Sequence, residues 1–239
     1  MKVDILAFGA HPDDVELGCG GSISSAVSQG LKVGIIDLTK GELGTRGTPE
    51  IREKESEKAS KILGVSFRKN LGFKDGFFIN DKEHQIKVVK ILREHKPSIV
   101  FCNAVKDRHI DHPKGSKLVS DSCFLSGLSK IKTNYKNSKN QLPWSPILIY
   151  HYIQWYDMKP DLLIDISNFQ KTKMKAILAY NSQFYNPNSK EPNTPISSKN
   201  FIDTIKYRDQ NFGRISGVNA AEGFTVQKPP LIKDFKGII

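Results

Sequence analysis

The chain has 239 residues, 38% of them hydrophobic, and a formal charge of +11. That length gives one α/β domain an ample core, and the longest apolar runs are strand-sized, far short of the roughly 20 residues of a membrane-spanning helix. The lysines are dispersed, with Lys54, Lys58 and Lys61 at helical spacing and no basic stripe interleaved with aromatics, so the charge reads as a solvated surface that at most attracts an anionic small substrate.

In chain order, residues 3–8 read as a strand, 22–29 as a helix closed by Gly30, and 32–39 as the next strand, carrying Val33, Ile35, Ile36 and Leu38. Thr48-Pro49 marks a helix start, with Thr48 as N-cap and Pro49 at the first helical position. That helix carries Ile51, Ala59, Ile62 and Leu63 inward and stops at Gly64. Residues 65–71 make a weaker strand, 81–95 a helix ended before Pro97, and 98–103 the fourth strand; a helix then opens at Pro113 and runs to about residue 128. Residues 129–146, rich in Lys, Asn and Ser, read as a surface excursion. Strands at 147–153 and 162–166 follow, then a helix over about 170–180. The Pro- and Asn-rich loop 186–195 is suited to covering an active-site mouth. A helix over about 198–212 and a short strand at 221–226 complete the series. Strands alternating with such helices predict βαβ units. The expectation is a single α/β domain over 1–239, a Rossmann-like three-layer sandwich with a mainly parallel sheet.

Two clusters stand where strands end: Ala10-His11-Pro12-Asp13-Asp14 after the first, and His109-Ile110-Asp111-His112 after the fourth. In open α/β sheets ligands bind at that edge, so a metal site is expected there. Neutral imidazole with carboxylate suits a borderline divalent ion such as zinc, and a surplus carboxylate is then free to handle protons. Lone histidines are more often structural, and His84, His95 and His151 are read that way. The glycines of Gly18-Cys19-Gly20-Gly21 are not a G-x-G-x-x-G pattern, and the carboxylates of Asp13, Asp14 and Glu16 before them would repel a pyrophosphate. They read instead as a tight turn that begins the next helix. Cys19, Cys102 and Cys123 lack C-x-x-C spacing, which fits a reducing compartment. The N-terminus enters a strand without a basic-then-apolar leader pattern. The expected location is therefore the cytoplasm, with no nucleic-acid or membrane partner.

Through those two motifs the chain resembles the LmbE/PIG-L family of zinc-dependent N-acetylglucosaminyl deacetylases. The softer remainder looks closest to its bacillithiol-biosynthesis branch, the N-acetyl-α-D-glucosaminyl L-malate deacetylases. That remainder includes Glu16-Leu17-Gly18-Cys19-Gly20-Gly21, Asp37-Leu38-Thr39, Gly47-Thr48-Pro49-x-x-Arg52, Asp107-Arg108-His109, Ala179-Tyr180-x-Ser182-Gln183-Phe184 and Gly217-Val218-x-x-Ala221-Glu222-Gly223-Phe224. The resemblance implies His11, Asp14 and His112 as Zn2+ ligands, a donor set that also accepts Fe2+, cobalt or manganese. It implies Asp13 as general base and His109 as a cation or donor near the developing oxyanion, while Asp111 is placed to orient His109. A small-molecule N-acetylglucosaminide substrate and a homo-oligomer, a hexamer built from trimers, are also implied. A chitobiose-like or mycothiol-type glycoside is the neighbouring alternative. A non-catalytic metal- or sugar-binding module is the alternative of another class, and Asp13, surplus to a binding site, argues against it.

The chain departs from the family at Ile110, where relatives usually have proline, at Ser145, where some have arginine, and at Phe201, where some have tyrosine. The last two positions are thought to approach the substrate. Arg52 and Arg108 are then the candidates for a malate carboxylate, since a guanidinium fork matches it bidentately. An i,i+3 pair with Glu55 is the plainer reading of Arg52, and Arg46, on a glycine-rich loop, is a further candidate.

Overall fold

Every residue of β1 (Ile5–Gly9) is buried, with Ile5 and Ala7 in one apolar cluster and Leu6 and Phe8 in another. A strand so covered on both faces belongs inside an α/β sandwich. The computed structural model describes residues 1–135 and 139–232. The other strands are β2 (Val33–Thr39), β3 (Phe67–Phe73), β4 (Ile99–Cys102), β5 (Leu148–Tyr152), β6 (Leu162–Asp165) and β7 (Ala221–Val226). They form one seven-stranded sheet in the order β3-β2-β1-β4-β5-β7-β6. All pairings are parallel except β7, which runs antiparallel to β5 and β6.

The helices are α1 (Asp14–Ser28), α2 (Pro49–Leu63), α3 (Lys82–His95), α4 (Asp111–Ser126), α5 (Gln170–Ile177) and α6 (Lys199–Ser216). One cluster packs α1, α2, α5 and α6 on the Ile5 and Ala7 side; the other packs α3 and α4 on the Leu6 and Phe8 side. Chain order runs from β1 outward to β3, then returns through β4 on the other side of β1. The crevice between β1 and β4 is therefore a topological switch point, where such sheets bind ligands.

Several local readings need correction. α1 begins at Asp14 rather than Ser22, so the glycines lie inside a helix, kinked at Cys19. They serve close packing: a Cβ on Gly18 would meet the Tyr152 ring at 2.1 Å, and one on Gly21 would meet Ile166 at 2.8 Å. α4 starts at Asp111, two residues before Pro113. In α2, Thr48 caps as expected through its side chain and Gly64 closes the helix at φ 74°. Ile51, however, is 43% exposed, and the buried face is Arg52, Ser56, Ala59 and Leu63. The buried face thus centres on an arginine where apolar periodicity alone would place Ile51. Within the 129–146 segment, residues 136–138 lie outside the described residues. Among the described residues, no helix is long and apolar enough to cross a membrane.

Candidate active site

Loops leaving the C-terminal ends of β1 to β5 line a cavity of about 920 Å³. β1 delivers His11, Asp13 and Asp14; β4 delivers Asp107, Arg108, His109, Ile110 and His112; β3 delivers Asp75; β5 delivers Gln154 and Trp155. Asn103 ties the two central loops together. Its Oδ1 accepts from Ala10 N–H at 2.8 Å, and its Nδ2 donates to Asp14 Oδ2 at 3.0 Å and Gln154 Oε1 at 3.0 Å.

The two imidazoles flanking Asp14 each have one nitrogen held by other carboxylates. His11 Nε2 lies 3.0 Å from Asp75 Oδ1 and 3.3 Å from Asp111 Oδ2, which leaves Nδ1 facing Asp14 Oδ2 at 3.5 Å. His112 Nδ1 lies 3.0 Å from Asp107 Oδ1, and its Nε2 lies 3.0 Å from Asp14 Oδ1. A carboxylate on the far nitrogen is the usual support of a metal-ligating histidine, because it fixes tautomer and ring orientation. Among the described residues, two groups have ligand atoms within 4.8 Å of one another: the rings of His11, His109 and His112, and His11 with Asp75 and Asp111. The second group shares the nitrogen through which His11 is braced. The donors converging on Asp14 therefore fit a divalent ion better than those on Asp75.

Charges at this centre are strongly coupled. Burial opposes charge on His11, but hydrogen bonds to Asp111, Asp14 and Asp75 hold its pKa well above the ordinary value. Burial likewise works against charged His112, yet Asp14 and Asp107 lift it to about 9. Burial would raise Asp14, and the facing His112 and His11 hold it well below the carboxylate range. His109 behaves differently: burial, then the neighbouring His11 and His112, push it down, so the ring is neutral. Its Nδ1 accepts from Asp111 N–H at 3.3 Å, which leaves the proton on Nε2.

Asp13 occupies a strained backbone position, φ 118°. It is the N-cap residue of α1, yet its side chain makes no capping hydrogen bond. Instead Oδ2 accepts from Arg52 Nη2 at 2.7 Å, while the same guanidinium donates to Pro12 O at 2.6 Å and Gly41 O at 3.4 Å. Burial raises Asp13 to about 7 against the pull of Arg52.

Two roles assigned from sequence change. The Arg52 fork is committed to Asp13 and the loop carbonyls, and Glu55 bonds Ser182 instead. The Asp111 carboxylate turns to His11, Gly76 N–H and Lys114, so its link to His109 runs through its backbone. Arg108 lines the cavity with its guanidinium 4.4 Å from the Trp155 ring centre. Phe201 lines it too, stacked on Trp155 at 5.8 Å. Ser145 does not line the cavity: it packs beside Gly127 ahead of β5, at the opposite edge of the sheet. The 186–195 loop reaches the cavity through Thr194 and Pro195. His84, His95 and His151 lie outside it, at the Asp81 cap, on Met1 O and against Ser116 respectively.

Residues 6–123 match the family described as PIG-L, GlcNAc-PI de-N-acetylase. The crystal structure of the conserved protein TT1542 from Thermus thermophilus superposes with TM-score 0.84 at 37% identity, over 96% of this chain and 97% of that one. A diacetylchitobiose deacetylase of Thermococcus kodakarensis is 29% identical over 75% of this chain and 70% of its own length. A probable N-acetyl-α-D-glucosaminyl L-malate deacetylase 2 of Bacillus anthracis is 24% identical over 75% of this chain and 81% of its own.

Proposed function

We propose that the chain, whose residues 6–123 match the PIG-L family of de-N-acetylases, is a deacetylase of that family and removes the N-acetyl group of N-acetyl-α-D-glucosaminyl L-malate. The products are acetate and the free amine. The observation that carries the reading is Asp13, a buried carboxylate beside the His11, Asp14 and His112 donors, poised at about pH 7 and held by a buried arginine. A binding module has no need of such a group.

His11, Asp14 and His112 would hold the divalent ion, zinc or iron(II), which supplies polarisation of the acetamide carbonyl and acidification of the attacking water. Asp13 accepts the proton of that water at its carboxylate as the new C–O bond forms. His109, neutral and carrying its proton on Nε2, donates to the oxygen of the tetrahedral centre. Asp13 then returns the proton to nitrogen as the C–N bond breaks, so the amine leaves neutral. Asp75 and Asp107 act through the histidines they brace.

The malate aglycone is supported by three arginines besides Arg52, namely Arg46, Arg108 and Arg208, that line the same cavity. A chitobiose-like substrate is the second reading, favoured by Trp155. Its indole is 41% exposed in the cavity and stacks on Phe201, offering an apolar face to a second pyranose ring. Comparing kcat/KM for the malate conjugate and diacetylchitobiose, with released amine as the readout, separates the two. Preference for the malate compound is expected; preference for the disaccharide reverses the assignment, and metal-dependent release from neither removes both.

A further inference from the structure

One wall of the cavity holds a buried cation whose side-chain partners lie on one surface loop. Arg46 follows β2, lines the cavity and is 4% exposed. A terminal nitrogen donates to Ser189 Oγ. Among the described residues its Nε has no hydrogen-bond partner and sits 3.7 Å from Glu191 Oε2, an ion pair too long for a hydrogen bond. Glu191 belongs to the 186–195 loop, its side chain is 43% exposed, and it accepts from Gly47 N–H at 2.8 Å.

The other arginines on the wall differ from it: two are held by hydrogen bonds and Arg108 is exposed, so that water already satisfies its guanidinium. Arg52 also has a spare Nε, but its terminal nitrogens are fixed on Asp13, Pro12 O and Gly41 O. Arg208 donates to the carbonyls of Gln154 and Leu17. Arg108 lies over the Trp155 ring. Arg46 thus combines near-complete burial, an unsatisfied donor and a half-exposed counter-ion, a combination that a better-placed carboxylate would improve.

We propose that Arg46 is the subsite for a carboxylate on the aglycone, and that Glu191 fills it in the free protein. The ligand class is an N-acetylglucosaminide with an anionic aglycone, and the assignment rests on the cavity being the N-acetylglucosaminide site. The exchange trades the hydration of one carboxylate for that of another, and its gain is the hydrogen bond at Nε that Glu191, 3.7 Å away, does not make. The incoming carboxylate takes the Nε and a terminal N–H together, the bidentate geometry a guanidinium fork presents.

The test uses metal-loaded wild type, Arg46→Gln and Glu191→Gln with two substrates, the dianionic N-acetyl-α-D-glucosaminyl L-malate and the neutral methyl N-acetyl-α-D-glucosaminide. Arg46→Gln is expected to raise KM for the malate compound about tenfold more than for the methyl glycoside. Glu191→Gln, at an exposed position, is expected to lower KM for the malate compound by removing the internal competitor. Equal losses on both substrates in Arg46→Gln, or a higher malate KM in Glu191→Gln, overturn the subsite. Turnover of neither substrate would count against the deacetylase assignment instead, so L-malate binding is also measured by calorimetry. Heat that Arg46→Gln abolishes and Glu191→Gln strengthens supports the subsite. Absence of binding in wild type, or equal binding in all three proteins, overturns it.

Discussion

The carboxylate of Asp13 and the guanidinium of Arg52 meet at 2.7 Å with both side chains buried. An arginine that the sequence offers as a grip on substrate is thereby held by Asp13, the proposed base. Burial alone would keep Asp13 protonated well above the ordinary carboxylate range, and Arg52 draws it back to about 7. The contact with Arg52 therefore fixes both the orientation of the Asp13 carboxylate and the pH at which it ionises.

Replacing Arg52 with Gln should shift the rising limb of the kcat/KM profile. In wild type the basic form of Asp13 appears as pH passes about 7. Without the guanidinium the opposing desolvation is uncompensated, so the limb moves to higher pH and activity at neutral pH falls. Removing one member of a buried pair also costs about 3–5 kcal/mol of stability. A pH-rate profile on a neutral and an anionic substrate checks this. An unshifted limb, with loss confined to the anionic substrate, would return Arg52 to substrate binding.

Asp13→Asn keeps the size of the side chain and its contact with Arg52 but cannot accept a proton. Metal content by elemental analysis should stay at the wild-type level, because His11, Asp14 and His112 are untouched. Turnover should fall by about 10² or more, the usual cost of losing a general base. Wild-type turnover would remove Asp13 from the chemistry.

Metal affinity should climb with pH. In the metal-free protein His112 is lifted to about 9 by Asp14 and Asp107 against the cost of burial. A folded-state pKa above the unfolded value of about 6.5 contributes stability that is complete below 6.5 and is lost as pH rises through 9. The same proton competes with a metal ion for the ring. Between about pH 6.5 and 9, therefore, the apo protein should lose thermal stability while chelator-competition measurements show tighter metal binding. Affinity that is flat across that window would show that His112 binds no ion.

The strands and their alternation were legible because both faces of the sheet are covered by apolar side chains, and the caps of α2 were legible because Thr48, Pro49 and Gly64 each act through local backbone geometry. The start of α1 was hidden. Its first turns carry glycines, which are poor helix formers, retained because Tyr152 and Ile166 press on Gly18 and Gly21. Asp75 was missed for a related reason: Lys74-Asp75-Gly76 is ordinary turn chemistry, and its role exists because β3 ends at the same sheet edge as β1. The role of Arg52 needed the third dimension as well, since its helix is aligned by Ala59 and Leu63 and its target lies on another loop.

A large stability effect without a direct effect on the cavity is expected at Lys173. Lys173 is fully buried, its Nζ 2.8 Å from Asp209 Oδ1 and 2.8 Å from Glu222 Oε1. Glu222 also accepts from Gly21 N–H at 3.0 Å, Ser22 N–H at 2.7 Å and Ser22 Oγ at 2.6 Å. The cation therefore joins α5, α6, β7 and the middle of α1. Lys173→Met fills the space but strands two carboxylates without their counter-ion, at a cost of about 3–5 kcal/mol. At roughly 2–4 °C per kcal/mol for a chain of this size, Tm should drop by roughly 6–20 °C. Lys69 and Glu94 make the control, an ion pair at 2.9 Å with both side chains about 40% exposed. There Lys69→Met should cost about 0–1 kcal/mol. Calorimetric scans of the two variants, run at the same pH and metal content, decide the matter. Similar Tm values would mean that the Glu222 carboxylate is carried by its α1 hydrogen bonds alone and that the buried lysine is dispensable.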